Sequence, residues 1–160
     1  FYRKLWSKRM ITIHLINSIK KYWSFISVII LSSITVFSLL PLSQLPDAPG
    51  SDKTHHLLAY AALAYPACLR KPTGWKAIIL SFALYGGLIE IFQPYTNRHG
   101  EWLDFIANTT GLLIGCVLAF STNKLQENSI NHWTALKTWF SNRPWTRFLL
   151  LRAEIISSGQ

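Results

Sequence analysis

Charged residues are scarce in this chain, and acidic residues are the scarcest of them. Asp, Glu, Lys and Arg together make up 14% of the 160 residues, against about a quarter in a soluble domain. Only 7 of these residues are acidic, whereas 16 are basic, and hydrophobic residues make up 50% of the chain. This composition disfavours a soluble globular fold, and the length is that of a single domain.

Cysteines and short catalytic motifs are also few or missing. The two cysteines, Cys68 and Cys116, both lie within apolar runs, and we interpret them as small buried residues rather than as a disulfide. No nucleophile elbow, P-loop or metalloprotease motif occurs. The histidines and acids match no known metal-ligand spacing, so the sequence predicts neither a metal site nor a cofactor. Whether the chain is an enzyme stays open.

Long apolar runs are what the sequence does have. Four of them lie between polar stretches, at 22–42, 55–69, 75–95 and 103–122. A transmembrane helix needs about 20 residues, a length that 55–69 falls short of. We predict an all-α membrane protein with four transmembrane helices over 22–122. The basic arm 1–21 and the Trp-rich tail 123–160 are predicted to be interfacial helical segments. An unstructured basic arm is the alternative for 1–21.

The basic residues are distributed unequally between the two sides that four spans would define. The arm, the turn at 70–76 and the tail hold fourteen of the 16 Lys and Arg residues, and the other side holds only Lys53 and Arg98. This asymmetry predicts that both termini are cytoplasmic. It also accounts for the net charge of +9, so we expect membrane lipids and not nucleic acid as partners. The predicted location is the bacterial cytoplasmic (inner) membrane.

Polar residues within the apolar segments cluster towards the opposite, outer side. Lys53, His56 and Tyr60 share one helix face, and the other polar pairs share faces of their own: Glu90 with Gln93, and Asp104 with Asn108. A carboxylate such as Glu90 costs about 2.5 kcal/mol or more in hydrocarbon, so it should face inward and meet a cation or a donor. Four small residues are predicted to bring the third and fourth spans close together: Gly86, Gly87, Gly111 and Gly115.

This pattern of polar residues resembles the VanZ-like family of small integral membrane proteins, whose founding member is associated with teicoplanin resistance. The resemblance covers about residues 40–120. It implies a four-helix membrane protein, and it carries the family's signature positions over to eight residues of this chain: Asp52, Lys53, His56, Glu90, Gln93, Arg98, Asp104 and Asn108.

Two functions follow from these observations. The first is an outward-facing polar pocket for an anionic or lipid-linked envelope ligand, in which Lys53 and Arg98 hold phosphate or carboxylate. Glu90, Asp104 or His56 could then act as acid or base. The alternative is a non-catalytic accessory subunit of a larger membrane complex, docking through its Trp- and Arg-rich arm and tail. Two further alternatives are a purely structural ion pair at Glu90 and a role in transport.

Overall fold

The computed structural model describes residues 2–40, 51–96 and 101–143, with side chains from residue 11 onward. Over these ranges the chain forms five α-helices and one short 3₁₀ helix, and it is 92% helical without strands. The elements in chain order are α1 (Tyr2–Lys21), α2 (Trp23–Leu39), α3 (Asp52–Arg70), α4 (Trp75–Phe92), the 3₁₀ helix Gln93–Thr96 and α5 (Trp102–Ser141). The prediction of an all-α protein is confirmed, and the basic arm is helical.

Two helical stretches are long and apolar enough to cross a membrane, Trp75–Thr96 and Trp102–Ser141. A third is found if Ile11–Lys21 and Trp23–Leu39, which meet at a bend of 74°, form one broken span. The chain is therefore a helical protein with two or three candidate membrane spans. The fourth predicted span, 55–69, and the interfacial positions of the arm and tail stay predictions.

Helix α3 supplies the largest share of the hydrophobic core. Its core side chains are all buried: Tyr60, Leu63, Ala64, Cys68 and Leu69. Leu112 and Ala119 of α5 and Ile34 of α2 join the same cluster, and Ile16 of α1 packs against it. Because many side chains of α3 contact protein, this helix needs fewer apolar residues than a helix surrounded by lipid. This accounts for the short apolar run at 55–69.

The ends of α3 follow from local sequence. Ser51 caps the helix, since its hydroxyl oxygen accepts from the backbone N–H of Thr54 at 3.3 Å. Asp52 occupies the first turn, where a negative charge is favourable. At the other end Lys71 adopts the left-handed conformation with φ of 51°, and Pro72 prevents the helix from continuing. These caps place the polar start of α3 at one end of the bundle and its basic end at the other.

The small residues pack helices together, but not mainly the pair that we predicted. A Cβ on Gly111 would clash with the Leu57 carbonyl oxygen, and one on Gly115 with the Ala61 carbonyl oxygen, so both glycines bring α5 against α3. A Cβ on Gly86 would meet the Tyr60 ring, also on α3. Only Gly87 faces α5 from α4. The predicted close pairing of the third and fourth spans is therefore wrong for most of these positions, because α3 lies beside both helices.

The two cysteines are buried, as predicted, but they are also paired with each other. Cys68 of α3 and Cys116 of α5 form a disulfide with their Cα atoms 5.2 Å apart. Our interpretation of them as unpaired residues is wrong. The two cysteines are 48 residues apart in the chain, so the sequence shows no sign of their pairing. They meet because the contacts of Gly111 and Gly115 bring α5 close to α3.

The chain divides into two compact units, 1–122 and 123–160. The first holds the core and the polar residues described below. In the second, the described residues are helical up to Ser141 and expose Leu125, Trp139 and Phe140. The apolar run 148–151, predicted to belong to a surface-lying segment, falls outside the described residues.

Candidate functional site

Polar side chains from three helices meet at one end of the first unit. They come from the first turns of α3, the last turn of α4 and the first turns of α5. Two contacts between different helices define the cluster's interior: His56 with Asn108, and Asn108 with Glu90. The sequence pattern placed these residues on separate helix faces, and the fold brings those faces together.

The interior of the cluster is a hydrogen-bonded chain of three buried side chains. Asn108 is fully buried, and its amide nitrogen donates to Glu90 Oε1 at 3.2 Å. The Asn108 oxygen lies 3.0 Å from His56 Nδ1. Because the amide nitrogen is committed to Glu90, this oxygen accepts from an Nδ1–H of His56. Glu90 thus meets the buried donor that a carboxylate in an apolar environment requires.

The rim of the cluster is an ion-paired group closer to water. Lys53 Nζ lies 2.7 Å from Glu101 Oε2 and 4.0 Å from Asp104 Oδ1. The side chains of Lys53 and Glu101 are about half exposed, whereas that of Asp104 is only 3% exposed. The hydrogen bond that Lys53 donates to the Glu101 carboxylate raises the pKa of Lys53 above its ordinary value, so this lysine stays charged. Lys53 is therefore already paired.

Several buried polar atoms of this cluster have no hydrogen-bond partner among the described residues. They are two potential donors and two carboxylate oxygens: Tyr60 OH, Gln93 Nε2, Glu90 Oε2 and Asp104 Oδ1. An unpaired buried polar group costs about 1–3 kcal/mol, and such groups are rare in folded proteins. Their concentration at one end of the bundle marks this end as a place where polar ligand groups can be bound.

An apolar groove between α4 and α5 runs up to the same cluster. Its volume is about 630 Å³, and six of its lining residues are apolar or glycine: Leu84, Gly87, Leu88, Ile91, Trp102 and Phe105. The other two lining residues are Glu90 and Glu101. Glu90 therefore belongs both to the buried hydrogen-bonded chain and to the wall of the groove.

Most of the chain matches a known protein family. The family model described as VanZ/LLP1 matches residues 2–123. The chain belongs to the VanZ/LLP1 family. The match contains the whole polar cluster, and it extends beyond the resemblance over 40–120 to include α1. No curated protein and no solved structure matches the chain.

The eight residues predicted to be signature positions of the VanZ-like family are described in the structure with one exception. Seven of them lie at the polar end of the first unit: Asp52, Lys53, His56, Glu90, Gln93, Asp104 and Asn108. Arg98 lies outside the described residues. Glu101 was not in the predicted set, although it holds Lys53 and lines the groove. Its position three residues before Asp104, beside the start of α5, is the signal that could have identified it.

Three of the predicted signature residues also form a group that could hold a metal ion. Ligand atoms of Asp52, His56 and Asp104 all lie within 4.8 Å of one another. His56 and Asp104 are buried, and Asp52 is exposed. The sequence had predicted no metal site, because α3 and α5 each contribute only part of this group and their separation in the chain hides it.

Proposed function

We propose that this VanZ/LLP1 protein binds the head group of a membrane amphiphile at the outer surface of the bacterial cytoplasmic membrane. The ligand class is the one predicted from the sequence, a lipid-linked envelope intermediate. Its tail would lie in the groove between α4 and α5, and its head group would reach the polar cluster. The observation that carries this proposal is the double position of Glu90, which lines the groove and belongs to the buried network.

The charges of the described cluster determine how the head group is bound. Four carboxyl groups, those of Asp52, Glu90, Glu101 and Asp104, stand against one lysine that Glu101 already pairs. Carboxylates accept hydrogen bonds, so the head-group atoms that reach the groove end are hydroxyl or amino donors. The phosphate or carboxylate of the ligand is assigned to Arg98, the predicted anion-binding residue outside the described ranges.

The groove itself suits a lipid tail. It opens along two helices that are long and apolar enough to span a membrane, and its lining is apolar except at the carboxyl end. Leu84 and Ile91 of α4, which line the groove, are both exposed. An alkyl chain can therefore remain in a hydrocarbon environment while the head group meets Glu90. The distribution of Lys and Arg supports an outer position for this end, because positive residues favour the cytoplasmic side.

Lipid retention tests the proposal. The full chain is purified from bacterial membranes in mild detergent, and the lipids that remain bound are identified by mass spectrometry. We expect one amphiphile class to be enriched over the membrane extract. Leu84→Trp, which fills the groove, should abolish this enrichment, and Glu90→Gln should reduce it about tenfold through loss of a charge-assisted hydrogen bond.

Leu80→Trp is the matched control. Leu80 lies one turn before Leu84 on α4, its exposed fraction of 61% matches the 62% of Leu84, and it does not line the groove. This variant should retain the lipid. Equal retention by wild type and Leu84→Trp, or no enriched class in wild type, would refute the proposal.

A second candidate is the accessory subunit predicted from the sequence. The observation that favours it is the exposed aromatic pair Trp139 and Phe140, with the Arg143 guanidinium 4.0 Å from the centroid of the Trp139 ring. Trp and Arg are frequent at the energetic centres of interfaces. If the second unit docks a partner, Trp139→Ala should remove proteins that co-purify with the chain, and Leu125→Ala on the same helix should not.

A further inference from the structure

His56 has one ring nitrogen that donates and one that is left as an acceptor. Asn108 accepts from Nδ1–H, since its own amide hydrogens are directed to Glu90. In a neutral imidazole the proton then sits on Nδ1, and Nε2 carries a lone pair. That lone pair lies 4.0 Å from Asp52 Oδ1. A lone pair and a carboxylate face each other favourably only when a proton or a metal ion lies at Nε2.

Asp104 adds a second carboxyl group at this place, one with a buried oxygen that lacks a donor among the described residues. Its carboxyl group is 3% exposed, and Oδ1 accepts no hydrogen bond within the described ranges. Lys53 Nζ lies 4.0 Å from this oxygen, and Glu101 holds that ammonium at 2.7 Å. A single proton on Nε2, directed at Asp52, leaves this buried oxygen without a donor among the described residues. A divalent cation within reach of all three groups would meet it.

We propose that Asp52, His56 and Asp104 bind a divalent transition-metal ion, for which zinc fits the donors best. One imidazole nitrogen and two carboxylate oxygens are common zinc ligands, and three protein ligands leave a position open for water or substrate. Ligand atoms around tetrahedral zinc lie about 3.4 Å apart. The three ligand atoms lie within 4.8 Å of one another, so they must move closer to hold an ion, and Asp52, with a side chain 49% exposed, is the least buried of the three.

The surroundings of His56 match those of a metal ligand. Histidines that bind metal donate their second ring N–H to a neighbouring acceptor, which fixes the tautomer and the ring orientation. Asn108 provides this acceptor, and Glu90 in turn orients Asn108. Two ligating carboxylates also balance the charge of a divalent ion. The buried hydrogen-bonded chain thus acts as the support of the proposed site.

This inference goes beyond the binding of an amphiphile, because none of the three ligands lines the groove. Leu84→Trp should block the lipid and leave the metal in place. The two proposals therefore fail separately.

The test is zinc binding by the full chain in detergent after treatment with a chelator. Isothermal titration with zinc chloride should show one site per chain, and cobalt(II) should give the visible absorption bands of a low-symmetry site. Asp104→Asn and His56→Gln should each weaken zinc binding by at least about tenfold. Lys53→Gln should preserve or strengthen it, because it removes the cation that competes for Asp104.

Glu127→Gln is the control for loss of one carboxylate from α5, and it should leave zinc affinity unchanged. If the two buried variants lose helicity, Asp52→Asn replaces them, since that side chain is 49% exposed, and it should weaken zinc binding by the same factor. Absence of zinc binding by wild type, or equal binding by wild type and Asp52→Asn, would mean that His56 holds only a proton and would overturn the proposal.

Discussion

At the scale of single residues, the buried network depends on Asn108. Asn108→Leu keeps the approximate volume but removes the acceptor of the His56 N–H and a donor to Glu90 Oε1. Unpaired buried polar groups cost about 1–3 kcal/mol, so we expect the free energy of unfolding in detergent to fall by about that amount. Thr109→Val is the control, because the Thr109 hydroxyl bonds only to the Phe105 carbonyl of its own helix. Equal losses in the two variants would contradict the role of Asn108.

The rim pair makes a prediction about pH. Glu101 raises the pKa of Lys53, chiefly by accepting its hydrogen bond. A raised folded-state pKa means that the pair stabilises the fold at pH values below the ordinary lysine pKa, and that this stabilisation disappears as the pH rises through the raised pKa. Glu101→Gln should lower the pKa of Lys53 towards its ordinary value, as measured by NMR of ¹³C-labelled lysine. Glu127→Gln should not change it, and an unchanged Lys53 in Glu101→Gln would refute the pairing.

At the scale of helices, α3 and α5 are held together by glycine contacts. Gly111→Ala places a methyl group against the Leu57 carbonyl oxygen, a backbone atom that cannot move alone. We expect a destabilisation of about 1–3 kcal/mol, the usual cost of overpacking. The measurement is the midpoint of thermal unfolding in detergent.

Gly87→Ala, on α4 and facing α5, is the matched control. Its added methyl would lie 3.4 Å from the Phe105 ring, which is ordinary contact. Both substitutions gain the same intrinsic helix preference of about 1 kcal/mol, so their difference reports packing. A Gly111→Ala protein as stable as Gly87→Ala would show that α5 does not lie against α3 at this point.

At the scale of the whole molecule, the lipid-binding proposal requires that the polar cluster lie on the outer side of the membrane. Ser51 and Thr73 are exposed residues that flank the two ends of α3. Ser51→Cys should react with a membrane-impermeant thiol reagent in intact cells. Thr73→Cys should react only after the cells are permeabilised. The reverse pattern would place the polar cluster on the cytoplasmic side and remove the basis for an envelope ligand.

Much of the site could be predicted from local sequence, because polar residues at helical spacing lie on one face of a helix. His56 and Lys53 on α3, and Asp104 and Asn108 on α5, were predicted from helical spacing. Glu101 was missed because it precedes its helix, although its spacing from Asp104 is that of one helix face. The pairing of Cys68 with Cys116 was also missed, because sulfur atoms 48 residues apart meet only through packing.

The sequence by itself determined that the chain is helical and belongs in a membrane, and it identified which polar residues belong together. Hydropathy and helical periodicity depend on neighbouring residues, so they can be read without a fold. The tertiary structure decided which helices touch: Gly111 and Gly115 against α3, Glu90 both at Asn108 and in the groove, and Asp52 beside Asp104. Those contacts depend on the order of helices around α3, and no local pattern encodes that order.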